Sequence, residues 1–311
     1  MKKALSAIAA FFTGMYCFAA SAAVDNPAGY AEPGQMGFQG SVTEIMDKTI
    51  SFHDMLMVII TVVTIFVLFL LGYVAIKFNA KANPVPSKTS HHTVLEIVWT
   101  VVPIAILVVI GVPSFKLLYF QDTIPESDLV IKVTGHQWYW SYEYVDEDGL
   151  SFDSIMLPSS YFTEYDTDAE IKAEMDEAKA DIQRMMGRTG DLTTYRLLET
   201  DTRIVVPINS NVKLEINADD VIHSWAMPSF GIKIDAVPGR TNQAWFNANT
   251  VGTYYGQCSE LCGIKHAFMP IVVEVVSAED YKAWVARAKA YFASTDFGPS
   301  ATLADASPIK Q

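Results

Sequence analysis

Cysteine is scarce in this chain: three in 311 residues, at positions 17, 258 and 262. That excludes a small scaffold stapled by several disulfides. Charge is scarce as well. Asp, Glu, Lys and Arg make up 18% of the residues, against about 25% in ordinary soluble domains. The rarer sign is positive, with 22 Lys and Arg against 35 Asp and Glu. A net charge of −13 leaves no cationic surplus to neutralise phosphates, so nucleic acid is excluded as a partner class. No nucleophile elbow, phosphate-binding glycine loop or zinc-protease helix motif is present either. Disorder is excluded by the 12% of aromatic residues.

What the chain does have is long apolar runs. Lys2-Lys3 precedes an alanine-rich stretch, Ala4 to Ala20, followed by small residues at 20–23. This layout predicts a secretory signal peptide over 1–23, and its removal would take Cys17 with it. A polar outer segment follows over 24–51. Residues 52–118 then read as a two-helix membrane anchor. Met55 to Ile76 is 22 residues without a charge, and Ile97 to Phe115 is 19. About 20 helical residues cross the hydrocarbon core. The intervening loop, about 77–92, carries Lys77, Lys81 and Lys88 and no acid. The positive-inside rule makes it cytoplasmic. Both ends are then expected outside, which agrees with a cleaved signal, and the large C-terminal part on the oxidising side of the membrane.

The remainder, 119–293, alternates short β-type runs with turn residues, which predicts an all-β sandwich or barrel. The expected strands are 129–133, 137–144, 203–207, 212–218, 244–247, 253–257 and 271–276, with a closing helix at 280–291. An insertion over about 158–200 contains an acidic helical stretch at 164–184. It reads as a solvated helix or an extra docking surface for a cationic partner. Residues 294–311 read as a tail. From 119 onward there are 15 basic and 29 acidic residues, so the negative charge is concentrated in this part.

The chemistry concentrates in twelve residues. Cys258, Cys262, His266 and Met269 follow one another after an expected strand, and a second imidazole, His223, lies upstream. Soft thiolate and thioether donors with imidazoles select copper over magnesium or calcium. Two thiolates could bridge two metal ions, each ion closed by one histidine, and share one electron between them. Two other readings use the same residues. Neighbouring cysteines in an oxidising compartment form disulfides, as in a non-catalytic adhesion module. Two Cys and two His also make a zinc set. Met269 argues against zinc, and two histidines have no use beside a disulfide.

Four motifs carry a resemblance. They are Gly135-His136-Gln137-Trp138-Tyr139-Trp140-Ser141-Tyr142-Glu143-Tyr144, His223-Ser224-Trp225, Asp235-Ala236-Val237-Pro238-Gly239-Arg240, and Tyr254 through Pro270. With them the chain resembles the subunit 2 family of bacterial aa3-type cytochrome c oxidases over roughly 240 residues, from the first membrane run to the closing helix. The resemblance implies a cupredoxin domain, a Greek-key β-sandwich, holding a dinuclear copper A centre. In the family's pattern Cys258 and Cys262 bridge both coppers. His223 and Met269 complete one, and His266 with the Glu260 carbonyl completes the other. Nitrous oxide reductase shares such a loop, but the membrane runs and the Trp138 motif speak against it. Quinol oxidase subunits share the architecture but lack the copper ligands.

The resemblance implies further roles. Trp138 resembles the residue that takes electrons from cytochrome c. The Glu260 side chain resembles a ligand to a magnesium shared with subunit 1. Glu96 resembles the mouth of a proton path into subunit 1, although a carboxylate at a helix N-terminus is also favoured by the dipole alone. Glu143, Asp146, Glu147, Asp148, Asp153, Asp219 and Asp220 are candidates for docking a basic cytochrome c. The implied activity is that of the electron-accepting subunit of a proton-translocating terminal oxidase, working with subunit 1 and the other oxidase subunits. His53, His91, His92 and His136 have no ligand-type company in the sequence and read as structural or surface residues.

Overall fold

The computed structural model describes residues 29–148, 150–158, 168–188 and 192–294. The signal peptide expected at 1–23 and the tail from 295 lie outside them. The described residues form two compact units, one over Asp47–Thr123 and one from the residues before and after it.

The first unit is helical. Helix α1 spans Glu44–Lys77 and α2 spans Thr93–Asp122. Both are long and apolar enough to cross a membrane. Each extends well beyond the charge-free run that announced it. Backbone hydrogen bonding continues through flanking polar residues that need not sit in hydrocarbon. Thr43 Oγ1 accepts from Met46 N at 3.1 Å and so caps the start of α1. At the start of α2, His92 Nδ1 accepts from Leu95 N at 3.2 Å, and Glu96 Oε1 accepts from His92 N at 3.1 Å. This reciprocal pair resembles a capping box, with histidine in the usual Ser/Thr place and the glutamate one position later than usual.

The second unit is a sandwich of two five-stranded sheets. The strands are β1 Leu129–His136, β2 Tyr139–Tyr144, β3 Leu150–Ser154, β4 Ile204–Pro207, β5 Asn211–Ala218, β6 His223–Met227, β7 Ile232–Ala236, β8 Asn242–Asn247, β9 Gly252–Cys258 and β10 Pro270–Val276. One sheet runs β3-β2-β1-β5-β8 and the other β4-β10-β9-β6-β7. The pairs β1–β5 and β4–β10 are parallel, and the other pairs are antiparallel. Alternation sets the inward face: Trp140, Tyr142 and Tyr144 on β2 are buried while Tyr139, Ser141 and Glu143 are half-buried. Ile131, Leu214, Trp225 and Val273 from other strands join the same core.

Helix α3, Asp168–Met186, lies in the expected insertion, and α4, Ala278–Ser294, closes the domain. Among the described residues of α3 only Ile182 and Met185 are buried. The helix is fastened at its C-terminus instead. Arg287 of α4 donates to the Met185 and Met186 carbonyls at 2.8 and 3.0 Å, satisfying groups a helix end leaves open. Gly187, at φ +66°, leaves the room this needs: a Cβ there would come within 2.8 Å of the guanidinium. β10 is buried along its whole length, including Glu274. Arg203 accounts for that buried acid, since it pairs with both Glu199 and Glu274, all three fully buried. A cleft of about 1000 Å³ is lined by Glu143, Asp153, Glu174, Glu177, Asp181 and Asp201. It includes none of the candidate metal ligands.

Candidate metal centre

The candidate ligands come from two places in the second sheet. His223 opens β6, and Cys258 ends β9, with Trp225 of β6 opposite Cys258 in register. The β9–β10 connection supplies the rest. It leaves β9 at Cys258, passes through a 3-10 turn at His266–Phe268, and rejoins the sheet where Pro270 faces Gln257. Cys258 N donates to Met269 O at 3.3 Å and closes the loop on itself. Trp140 Nε1 donates to the same carbonyl at 3.3 Å, tying the loop to the opposite sheet.

The donor atoms converge on the two sulfurs. Cys258 Sγ lies 3.9 Å from His223 Nδ1, 3.4 Å from the Glu260 carbonyl oxygen and 3.9 Å from Cys262 Sγ. Cys262 Sγ lies 3.6 Å from His266 Nδ1 and 3.6 Å from Met269 Sδ. Both cysteines are free thiols and buried. Ligands about 2.0 to 2.3 Å from one ion, in roughly tetrahedral array, stand about 3.3 to 3.8 Å apart. The observed separations match such edges, and His223, Cys258 and Cys262 form a group able to hold a metal ion. The donor set is soft: two thiols, a thioether and two imidazoles, with one carbonyl. That set suits copper and does not suit a hard cation.

Electrostatics prepare the two thiols unequally. Burial works against ionisation of Cys258, but hydrogen bonds from His223 and nearby backbone outweigh it and bring the thiol down to about 7. Burial pushes Cys262 up, and the charge of Cys258 adds to that. Burial also opposes protonation of His223, yet its contacts with Cys258 and Asp220 leave it raised.

Three residues to which the sequence assigned no place at the metal site, Asp220, Gln137 and Gly135, complete the geometry. Asp220 Oδ1 accepts from His223 Nε2 at 2.8 Å, leaving Nδ1 directed at Cys258. A ligating histidine normally donates its other nitrogen to such a carboxylate. Asp220 also accepts from Val221 N and, through Oδ2, from Gln137 N, each at 2.6 Å. Its carboxylate, although exposed, is therefore engaged at the site, a role the docking expectation does not include. Gln137 Nε2 and Trp138 Nε1 both donate to the Cys262 carbonyl, at 2.8 and 3.2 Å. Gly135 makes room for the imidazole, because a Cβ there would come within 2.9 Å of the His223 ring.

Other expected site residues stand as follows. Trp138 is half-buried against the metal loop, and the Glu260 side chain is exposed. Glu96 caps α2 as described. Asp153 accepts from Ser141 Oγ at 2.6 Å, and Ser141 Oγ also lies 3.0 Å from His136 Nε2. Asp219 sits 3.8 Å from His136 Nδ1. Glu143 pairs with Lys132 at 3.1 Å, and Glu147 pairs with Lys289 at 3.1 Å. Asp146 accepts from Val130 N, and Asp148 lies 3.7 Å from Lys289 Nζ. Residues 146–148 follow the far end of β2, roughly 20 Å along the strand from Trp138 at about 3.3 Å per residue. Asp219, Asp220 and Asp153 belong to the Trp138 end.

The chain is similar to known proteins over both its helices and its sandwich. The pattern described as "Cytochrome C oxidase subunit II, periplasmic domain" matches residues 129–178 and 174–276. That described as "Cytochrome C oxidase subunit II, transmembrane domain" matches residues 31–117. A probable cytochrome c oxidase subunit 2 of Rickettsia bellii is 46% identical over 286 residues, 92% of this chain and 93% of its own length. The subunit 2 of Cereibacter sphaeroides is 42% identical over 261 residues, covering 84% and 82%. The crystal structure of the periplasmic domain of subunit II of cytochrome oxidase of Bradyrhizobium japonicum is similar over 55% of this chain and 99% of that one. Its identity is 41% and its TM-score 0.43. By these matches across its helices and its sandwich, the chain belongs to the cytochrome c oxidase subunit II family.

Proposed function

We propose that this chain is the electron-accepting subunit of a proton-pumping terminal oxidase in a bacterial inner membrane, with both termini periplasmic. It takes electrons from cytochrome c at a dinuclear copper A centre and passes them toward haem a in subunit 1, where oxygen is reduced to water. The observation that carries the reading is the convergence of four donors, His223 Nδ1, the Glu260 carbonyl, His266 Nδ1 and Met269 Sδ, on two free sulfurs within 3.4–3.9 Å.

Cys258 and Cys262 would bridge both ions. His223 and Met269 would hold one, and His266 and the Glu260 carbonyl the other. A bound copper pair supplies a one-electron store whose bond lengths change little on reduction. The protein residues do the rest. Asp220 fixes the His223 ring, and the buried sandwich keeps water from the sulfurs. Trp138 offers a half-exposed indole bonded directly to the Cys262 carbonyl, a short route from surface to thiolate. Asp153 and Asp219 give that end of the domain a negative field that steers a basic cytochrome c. The Glu260 carboxylate is assigned to a magnesium shared with subunit 1, since hard oxygen donors suit it. Glu96 is assigned to proton uptake at the cytoplasmic side.

Stopped-flow mixing of reduced cytochrome c with the assembled oxidase tests the reading. W138F should slow electron uptake by about 100-fold or more with metal content intact, as expected when a group aligned for transfer is lost. Uptake at the unaltered rate would overturn the assigned route.

A further inference from the structure

Across the three segments that build the site, residues 135–140, 219–227 and 258–269, the sequence holds one lysine and no arginine. That residue, Lys265, precedes His266. Its Nζ lies over the Trp138 ring, 5.8 Å from the centroid. The same loop holds the indole on two further sides. Trp138 Nε1 donates to the Cys262 carbonyl at 3.2 Å. A Cβ on Gly263, at φ +123°, would come within 3.0 Å of Trp138 Cζ2. The loop is thus a cradle for one ring, closed on one side by a cation.

We propose that Lys265 is a positioning and specificity-determining residue of the electron-accepting face. It fixes the Trp138 indole and moderates how tightly the face holds a basic donor. The proposal rests on the reading of Trp138 and cytochrome c given above. An ammonium over an indole is attracted to the ring's negative face, which restrains its orientation. The same charge shares the Trp138 end of the domain with Asp153 and Asp219, the acids assigned above to steering. Those acids speed the encounter from a distance, whereas Lys265 opposes the donor at the point of contact. Fast arrival is combined with ready release, as a carrier that must leave after each electron requires. The ammonium also adds positive potential beside His266, which favours an added electron on that side of the site.

The test uses the assembled oxidase and a purified basic mitochondrial cytochrome c as probe. K265Q and K265M are compared with K265R, and W138F is run in parallel. Removing the charge should tighten equilibrium binding of the probe about two- to fivefold at low ionic strength. KM should fall with it while kcat does not rise, and the salt dependence should steepen. The midpoint potential of the metal centre should fall, and K265R should restore all four readings. If W138F is impaired but K265Q and K265M leave binding, salt dependence and potential unchanged, the role of Lys265 is overturned and the reading of Trp138 stands. If W138F is unimpaired, the reading of Trp138 fails and this inference falls with it.

Discussion

His223 and Asp220 are joined by a 2.8 Å contact from Nε2 to Oδ1, which turns the other ring nitrogen toward Cys258. The same carboxylate accepts from Gln137 N, so one acid positions both a metal ligand and the turn that bears Trp138. D220N should weaken metal retention by about 10- to 100-fold, the usual effect of losing an outer partner. Competition against a chelator of known affinity checks it, and retention equal to the unaltered protein would refute the role.

Gly135 is required by sterics rather than by backbone conformation. A methyl group there would meet the His223 ring at 2.9 Å. G135A should cost about 1–3 kcal/mol in stability, the range for overpacking a filled site. It should also displace the imidazole. Thermal unfolding and copper content of the purified variant report the two effects separately. A G135A protein with unaltered copper content would show that the ring has room to move.

Asp201 provides a pH prediction outside the metal site. Its Oδ1 accepts from Ile155 N at 2.8 Å at the edge of the acidic cleft. Burial raises its pKa from 3.8 to about 7. The folded protein therefore keeps a proton that the unfolded chain releases above about pH 4. The unfolded state binds fewer protons across that window, so this group makes stability fall as pH rises from about 4 to about 7. The loss is complete above the folded value. Asp201 is partly open to the cleft, and solvent screening reduces the effect to roughly 1–2 kcal/mol. D201N should flatten the slope and be at least as stable as the parent at pH 8, measured by denaturant unfolding at pH 5 and pH 8. A variant less stable at both pH values by the same amount would assign Asp201 a purely structural role.

Legibility in the sequence followed local signal strength. β1 and β5 alternate over eight residues each and were readable as strands. β3, β6 and β7 are five residues each. β6, with its Ser and Ala, reads as a motif rather than a strand until β7 and β9 pair with it. The helices were found but undersized, because charge marks where hydrocarbon ends and not where hydrogen bonding ends. The six donors were legible because five of them fall within one twelve-residue loop. Gln137, Gly135 and Asp220 were not. Gln137 meets its partners across 83 and 125 residues, a distance no spacing rule covers. Asp220 is exposed, as its charge suggests; the His223 bond that also gives it a place at the metal site depends on the fold.

The central claim is that two thiols four positions apart hold two metal ions between them. Metal analysis with electron spin resonance on the purified, copper-supplied chain tests it directly. The account predicts two coppers per chain and, in the oxidised state, a multi-line spectrum from one electron shared by both. One copper, zinc in its place, or no metal with Cys258 and Cys262 joined in a disulfide would contradict it.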